Sequence, residues 1–400
     1  MNLHWGLNLG DVAEFIRGVT YKPGDVSTAD DLDAIPCMRT KNIQEQLETD
    51  DLVYIPKRPI SAQKRLRRGD ILVSSANSWN LVGKCSWVPE LPYEATFGGF
   101  TSVLRANPDR VDPRYLYRWF SSTEVQTVVR SFGQQTTNIS NLNQNLCLAM
   151  RLSLPPLDEQ HRIAAILDKA DALRQKRKSA IALLDSLTQS IFLEMFGDPE
   201  SNPLGWPTVS LGDLIKDGPT NGLYRPASEY GSGTPIVRID AFYDGVITGL
   251  SSLKRLRIDD KTQSTFALQQ GEIVINRVNS LEYLGKSALV PALSEPTVFE
   301  SNMMRIRIDN SRITSGFCVA LLQMDWIKKQ IARAAKKAVN QASINQNDVK
   351  SFSMLLPPLT KQVQFDAAIA QIGRMKDRIA INQLDHLFAS LQHRAFSGQL

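Results

Sequence analysis

The stretch GDILVSSANSWNLVGKCSWVP, residues 69–89, returns as GEIVINRVNSLEYLGKSALVP at residues 271–291. Gly69 and Gly271 stand 202 positions apart, and the same offset relates Gly83 and Lys84 to Gly285 and Lys286. Outward from this core, the offset pairs Leu9-Gly10-Asp11 with Leu211-Gly212-Asp213, Phe97 with Phe299, and Arg105 with Arg307. It also pairs Asn143 and Gln144 with Asn345 and Gln346, and Leu154-Pro155-Pro156-Leu157 with Leu356-Pro357-Pro358-Leu359. A constant offset held over so much chain is the mark of a tandem duplication, and it sets the architecture before any element is assigned.

Each copy has two parts. The first consists of short apolar runs broken by Gly, Pro, Asn and Ser. Ile71-Leu72-Val73 and Ile273-Val274-Ile275 read as buried strands, each entered from a glycine–acid turn. Helical stretches are expected near 114–130 and 315–337, which together with the strands gives an α+β globule. The second part, after each LPPL, has almost no Gly or Pro. One long helix is expected over 159–196, with Asp158 as N-cap and Gly197 as stop; the other over 361–396, with Thr360 and Gly398 in those roles. Gly373 is an interior weakness of about 1 kcal/mol against Ala. At 1.5 Å per residue each helix is about 55 Å long.

Ile163, Ile166, Ala170, Leu173, Ala180, Leu184, Leu187 and Ile191 recur at coiled-coil spacing, with Arg177 in the skipped position. The second helix offers Phe365, Ala368, Ile372, Met375, Ile379, Leu384, Leu387 and Leu391; the offset is 202 through Ile379 and 200 beyond it, an irregularity in the seam. Ile166, Leu173, Leu184, Leu187, Ile372, Ile379, Leu387 and Leu391 are the expected contacts of an antiparallel helix pair; the alternative is two amphipathic helices, each lying on its own globule. The division is then a globule over 1–153, a helix over 154–200, a second globule over 201–355 and a second helix over 356–400, with pseudo-two-fold symmetry.

The chain has 400 residues, 46 basic and 41 acidic, a net charge of +5 and 42% apolar residues. Mean hydropathy is −0.21. These values suit a soluble globular protein of two to four domains with real cores. No secretory leader and no run of about 18 apolar residues is visible, so no membrane span is expected. The cysteines Cys37, Cys85, Cys147 and Cys318 are scattered without a CxxC, which argues against a disulfide framework or structural zinc and fits a reducing cytoplasm.

Catalytic constellations are not legible. Gly285-Lys286-Ser287 resembles the tail of a P-loop, but Ser280 stands where its first glycine is needed. There is no GxGxxG after a strand, no metal-ligand spacing among the four histidines, and only chance-level D-x-K triplets at Asp259 and Asp348. Binding features are stronger. Lys57, Arg58, Lys64, Arg65, Arg67 and Arg68 cluster in the first copy, and Arg255 and Arg257 fall at a similar point of the second; such clusters suit phosphate contact or an ordinary solvated loop. The loops after the buried strands carry Ser75, Asn77 and Lys84, and Asn276, Arg277, Asn279 and Lys286. They contain the side chains that read base edges and differ at the matched pair Ser75 and Arg277, as expected if each copy reads a different short sequence; a plain polar turn is the alternative.

The duplicated W…LGD start (Trp5 to Asp11, Trp206 to Asp213), the glycine–acid–Ile strand followed by Gly-Lys, and above all LPPLDEQHRIAAILDKADAL resemble the specificity subunits of type I restriction-modification systems across essentially the whole chain. The second copy departs from the signature, keeping only Gln362 within Thr360-Lys361-Gln362-Val363-Gln364-Phe365-Asp366. The resemblance implies two target recognition domains, each reading half of a bipartite site on double-stranded DNA. It implies two long antiparallel helices that act as a coiled-coil spacer and dock two modification (methyltransferase) subunits, with a restriction subunit joining for cleavage. It further implies a non-catalytic chain with no cofactor or metal of its own, the methyl donor being held by the modification subunit. A 55 Å strut at about 3.4 Å per base pair would cap the separation of the two contact regions at about 16 base pairs. A methyltransferase or nuclease with unfamiliar motifs, and a protein scaffold without DNA contact, are the competing readings.

Overall fold

Each glycine–acid turn launches a fully buried strand because its carboxylate is locked by an arginine one strand away. Asp70, 2% exposed, takes both Nε and Nη2 of Arg105 at 2.7 Å; Glu272, 1% exposed, takes Nη2 of Arg307 at 2.8 Å. A buried carboxylate in a charge-assisted fork is satisfied rather than stranded. The acid in the motif is structural, and so is its arginine.

The computed structural model describes residues 4–58, 60–135, 139–339, 341–378 and 382–400. The chain divides into two units, Met1–Ala180 with Ala380–Leu400, and Ile181–Ile379. In the first, Ile71–Ser74 lies between Thr101–Ala106 and Cys85–Trp87, and Ala13–Arg17 completes a four-stranded antiparallel sheet. A second sheet sets Ala34–Met38 against Val53–Pro56 and, in parallel, Thr96–Phe97. The helices Pro113–Phe120 and Thr123–Ser131 cover the core, where Ile71, Val73, Leu104, Leu116 and Phe120 are all buried.

In the second unit Ile273–Asn276 lies between Met303–Ile308 and Ser287–Leu289. Ile273 faces Ile306 as Ile71 faces Leu104, so register as well as sequence is duplicated. Phe242–Tyr243, Gly245–Ile247 and Ile215–Asn221 widen this sheet to six strands. Tyr230–Val237 pairs with Arg255–Leu256 and, in parallel, Val298–Phe299. The helices Ser315–Leu322 and Asp325–Ala334 repeat the first pair. The content is mixed helix and sheet in both units.

Gly83 and Gly285 show why the Gly-Lys pair recurs. Both adopt positive φ, +82° and +75°, and a Cβ would sit 2.5 Å from Val129 Cγ1 or 2.2 Å from Ile331 Cδ1. The turn thus lets a helix close down on the sheet. Gly285→Ala is expected to destabilise the second unit by about 1–3 kcal/mol, read as a lowered denaturant midpoint; an unchanged midpoint would show that the turn relaxes freely.

The first long helix is Leu157–Phe196, starting two residues earlier than Asp158 as cap would require. Pro156 holds the cap position, and its carbonyl accepts from Glu159 and Gln160 nitrogens at 2.9 and 3.0 Å. The second copy likewise starts at Leu359 rather than after Thr360, giving Leu359–Arg378, followed by Asn382–Phe396. Proline at a helix start loses no intrahelical bond, which is why LPPL can run directly into helix.

The retained glutamine of the signature has a visible task. Gln160 Oε1 accepts from Asp112 N at 2.9 Å while its Nε2 donates to Pro155 O at 2.8 Å. Gln362 repeats both bonds, from Thr314 N at 2.9 Å and to Pro357 O at 2.8 Å. Both glutamines are buried and join the long helix to the start of the globule's covering helix.

The halves of the long helices pack in a crossed-over way. In the first unit Ile163, Ala164 and Leu167 are buried with Ala395, and the Phe396 ring lies 5.4 Å from Tyr115. Arg162 Nη2 donates to Leu400 O and Arg174 Nη1 to Asp385, so the two segments run antiparallel. In the second unit Phe192, Phe196, Phe317 and Phe365 form one aromatic cluster, and Lys376 pairs with Asp185. Each unit therefore takes the second half of its long-helix partner from the other copy.

The seam differs from the expected one. Leu173, Leu187 and Leu387 are 60, 43 and 62% exposed, whereas Ile372 is buried and Ile166, Leu184 and Leu391 are half-buried. The inward stripe runs through Leu167, Asp171, Arg174 and Lys178 to Ile181 and Leu184. Its middle is charged, so an apolar pattern alone places the stripe on the wrong side. Ile379 and the Leu384 side chain lie outside the described residues. By length and composition Leu157–Phe196 could cross a membrane, with a window of mean hydropathy 1.2, counter to the sequence expectation. Its Ile163, Leu167, Phe192 and Phe196 are instead buried in the two protein cores.

Candidate nucleic-acid interface

At the exit of each buried strand the chain makes the same tight loop. Asn77 Oδ1 accepts from Ser78 N, and Asn279 Oδ1 from Ser280 N, both at 2.8 Å. These asparagines are half-buried turn formers. The Asn77 amide also donates to Ser74 Oγ at 3.2 Å, so both its ends are occupied. Asn276 is fully buried, with Oδ1 and Nδ2 lacking a partner among the described residues. Their base-reading role, inferred from residue type, is not supported by this placement.

The two Gly-Lys lysines are fasteners. Lys84 Nζ donates to Gln44 Oε1 at 2.6 Å. Lys286 Nζ donates to Ile239 O at 2.8 Å and lies 3.8 Å from the Tyr243 ring centre. Burial pushes the Lys286 ammonium below its usual pKa, although Asp240 and Asp244 act the other way. Each lysine thus pins a neighbouring loop, 40–48 in one unit and 238–244 in the other.

Ser75 and Arg277, the matched difference, sit on the loop as expected. Ser75 Oγ donates to Ser102 Oγ at 2.7 Å, and Gln144 Nε2 donates to Ser102 Oγ at 2.8 Å. Arg277 is half-buried and donates Nη1 to Ser301 O at 3.1 Å. The cationic clusters are dispersed in their contacts. Lys64 Nζ reaches Gly18 O, beside exposed Arg17; Arg65 pairs with Glu94 at 2.7 Å, and Arg255 with Glu295. Arg257 Nε donates to Ser232 Oγ at 3.2 Å. Arg58, Arg67 and Arg68 are exposed and Lys57 is half-buried.

What composition did not single out is a cleft beside the loop. In the first unit Arg17, Tyr21, Arg39, Gly99 and Phe100 line about 390 Å³; next to it, Arg17, Phe100, Asn141 and Gln144 line a polar cleft of about 450 Å³. In the second unit Tyr224, Arg225, Arg238, Lys254 and Asn302 line about 430 Å³. Phe100 and Tyr224 are 65 and 78% exposed. Cations, amides and exposed rings around a groove form a surface able to meet phosphates and bases together.

The fold repeats one frame twice, and each copy presents a groove lined by cations and an exposed ring. Residues 5–183 match the family described as "Type I restriction modification DNA specificity domain". Over most of its length the chain is similar to type I restriction enzyme specificity subunits. It is 26% identical over 410 residues to the type I restriction enzyme StySPI specificity subunit of Salmonella potsdam, covering 97% of this chain and 87% of that one. It is 25% identical to the EcoKI specificity subunit of Escherichia coli (strain K12), with the same coverage. The fold is similar to the crystal structure of a type I restriction-modification S subunit from M. genitalium, with a TM-score of 0.60, 14% identity, and 99% and 96% of the two chains covered.

Proposed function

We propose that this chain is the DNA sequence-recognition subunit of a cytoplasmic type I restriction-modification complex. Each unit reads one half of a bipartite duplex site. The recognition domains are 1–153 and 201–355, and the helices over 154–200 and 356–400 set the spacing. The observation that carries this reading is one framework, identical in register, holding unlike side chains at equivalent loop positions: Ser75 against Arg277 and Phe100 against Asn302. A structural protein has no need of such matched variation; a reader of two different half-sites does.

Two modification subunits dock on the long helices, and a restriction subunit joins for cleavage. Leu173, Leu183 and Leu187, exposed along the first long helix, supply an apolar stripe suited to such a partner. The chain is non-catalytic alone, and the methyl donor belongs to the modification subunit.

Mapping methylated motifs across the genome of cells carrying this chain with its cognate modification subunit tests the reading. A two-part motif with a fixed gap is expected, and Arg277→Ala should relax one part only. A single uninterrupted motif, or methyl transfer by the purified chain alone, would overturn it.

A further inference from the structure

The 202-residue offset hides a second duplication. In the first unit Cys37 and Met38 lie beside Thr96 and Phe97 in a parallel pair; in the second, Ile236 and Val237 lie beside Val298 and Phe299. The next residue is arginine in both, Arg39 and Arg238, only 199 positions apart. The following strand end confirms the match: Gly98 N donates to Met38 O at 2.9 Å and Glu300 N to Val237 O at 3.0 Å. Gly18 and Gly222 are likewise equivalent at 204 positions, each closing on the backbone of Gly98 or Glu300. Insertions and deletions in the connecting loops separate these residues in sequence, while the sheet returns them to one place.

Both arginines stand at the same wall of the same cleft. Their side chains are 34 and 28% exposed. Arg39 Nη2 donates to Asp51 O at 3.3 Å with the Asp51 carboxylate 3.9 Å away, and Arg238 Nε donates to Glu300 Oε2 at 3.3 Å. Among the described residues Nη1 of neither arginine has a hydrogen-bond partner. A guanidinium held in place with donors to spare at a groove is built for an incoming anion.

Opposite them stands a position fixed in backbone and free in side chain. Phe100 O accepts from Ser75 N and Ala76 N at 2.9 and 3.1 Å; Asn302 O accepts from Arg277 N and Val278 N at 2.8 and 3.3 Å. The identical clamp presents an aromatic ring in one unit and an amide in the other. In the first unit the ring forms the ridge between two clefts.

We propose that this duplicated cleft is where each unit grips DNA, with Arg39 and Arg238 as equivalent phosphate anchors and Phe100 and Asn302 as the residues that make the two halves read differently. The inference rests on the DNA-reading role proposed above. The anchor contributes affinity without sequence, and the clamped residue contributes sequence through apolar contact in one half and amide bonding in the other.

The test uses the full chain assembled with its modification subunit. The probe is a duplex carrying the motif mapped for the wild type, compared with a scrambled duplex. Arg39→Ala and Arg238→Ala should each weaken binding to both duplexes about tenfold, lower the salt slope by about one, and leave the motif unchanged. Arg39→Lys should restore most of the affinity, since a phosphate accepts a point charge. Phe100→Asn should change the preferred bases of one half only, and Asn302→Phe those of the other half only. Intact affinity in both arginine variants, or an unaltered motif in both exchange variants with unchanged thermal stability, would overturn the cleft assignment. Failure of the wild-type complex to prefer its mapped duplex would instead overturn the recognition role itself, and the cleft assignment with it.

Discussion

Phe317→Ala is expected to destabilise the second unit by about 3–5 kcal/mol, the range for removing a fully buried aromatic side chain. Phe317 has no exposed surface, and its ring lies 4.8 Å from Phe196, 5.6 Å from Phe192 and 6.1 Å from Phe365. Both parts of the long helices in this unit pack on this ring. Its loss leaves a cavity among side chains that cannot collapse together, and removes aromatic pairs worth about 0.5–1.5 kcal/mol each beyond burial. Hydrogen exchange should show lost protection in Ser315–Leu322 and Leu359–Arg378 while Pro113–Phe120 keeps its own. Unaltered protection in the first two segments would show that the cluster is not the keystone of the unit.

The second large effect is expected at Arg118, only 4% exposed on the helix Pro113–Phe120. Its Nε donates to Asp168 at 2.7 Å, and both terminal nitrogens donate to Asp171 at 3.0 Å. Arg118→Met keeps the apolar stem and removes the charge. The cost should be about 3–5 kcal/mol, because two carboxylates lose a buried partner. Asp168 retains Arg114, so the lower end is the closer estimate.

The acid dependence follows from the same contacts. Burial alone would raise the Asp171 pKa; the Arg118 charge and the hydrogen bonds from Arg118 and Arg174 outweigh it and hold the carboxyl below its ordinary value. Glu45, facing Lys178 and Arg174, is lowered in the same way against its burial. A depressed carboxylate contributes stability that is present at neutral pH and lost as pH falls through the ordinary carboxylate range to the folded-state value. The gap in unfolding free energy between wild type and Arg118→Met should therefore narrow as pH falls below about 4. A gap that stays constant to low pH would mean that packing of the arginine stem, not its charge, carries the effect.

Much of this was legible in the sequence because the duplication records the same physical requirements twice. Gly83 and Gly285, Asp70 and Glu272, and Arg105 and Arg307 recur at a fixed spacing since a sheet, a turn and a buried fork tolerate no insertion between them. The site was less legible for the opposite reason. Arg39 and Arg238 sit on loops whose lengths differ, so their equivalence exists in space but not in residue number. Asn77 and Asn279 have the composition of base readers, yet their amide oxygens close turns, and nothing in a residue type distinguishes the two uses. The helix stripe was displaced because Asp171, Arg174 and Lys178 face inward and satisfy one another and Glu45, an arrangement invisible to a search for apolar spacing.

Gln160 and Gln362 have a consequence for how such a protein can be rebuilt. Each ties strut to globule through one amide group that contacts only main-chain atoms. A joint made to main chain is indifferent to the side chains on either side of it. A foreign globule supplying one free amide hydrogen at the right spot would make the same joint, leaving side-chain contacts such as Arg118 with Asp168 and Phe317 with Phe196 as the part of the seat to be matched.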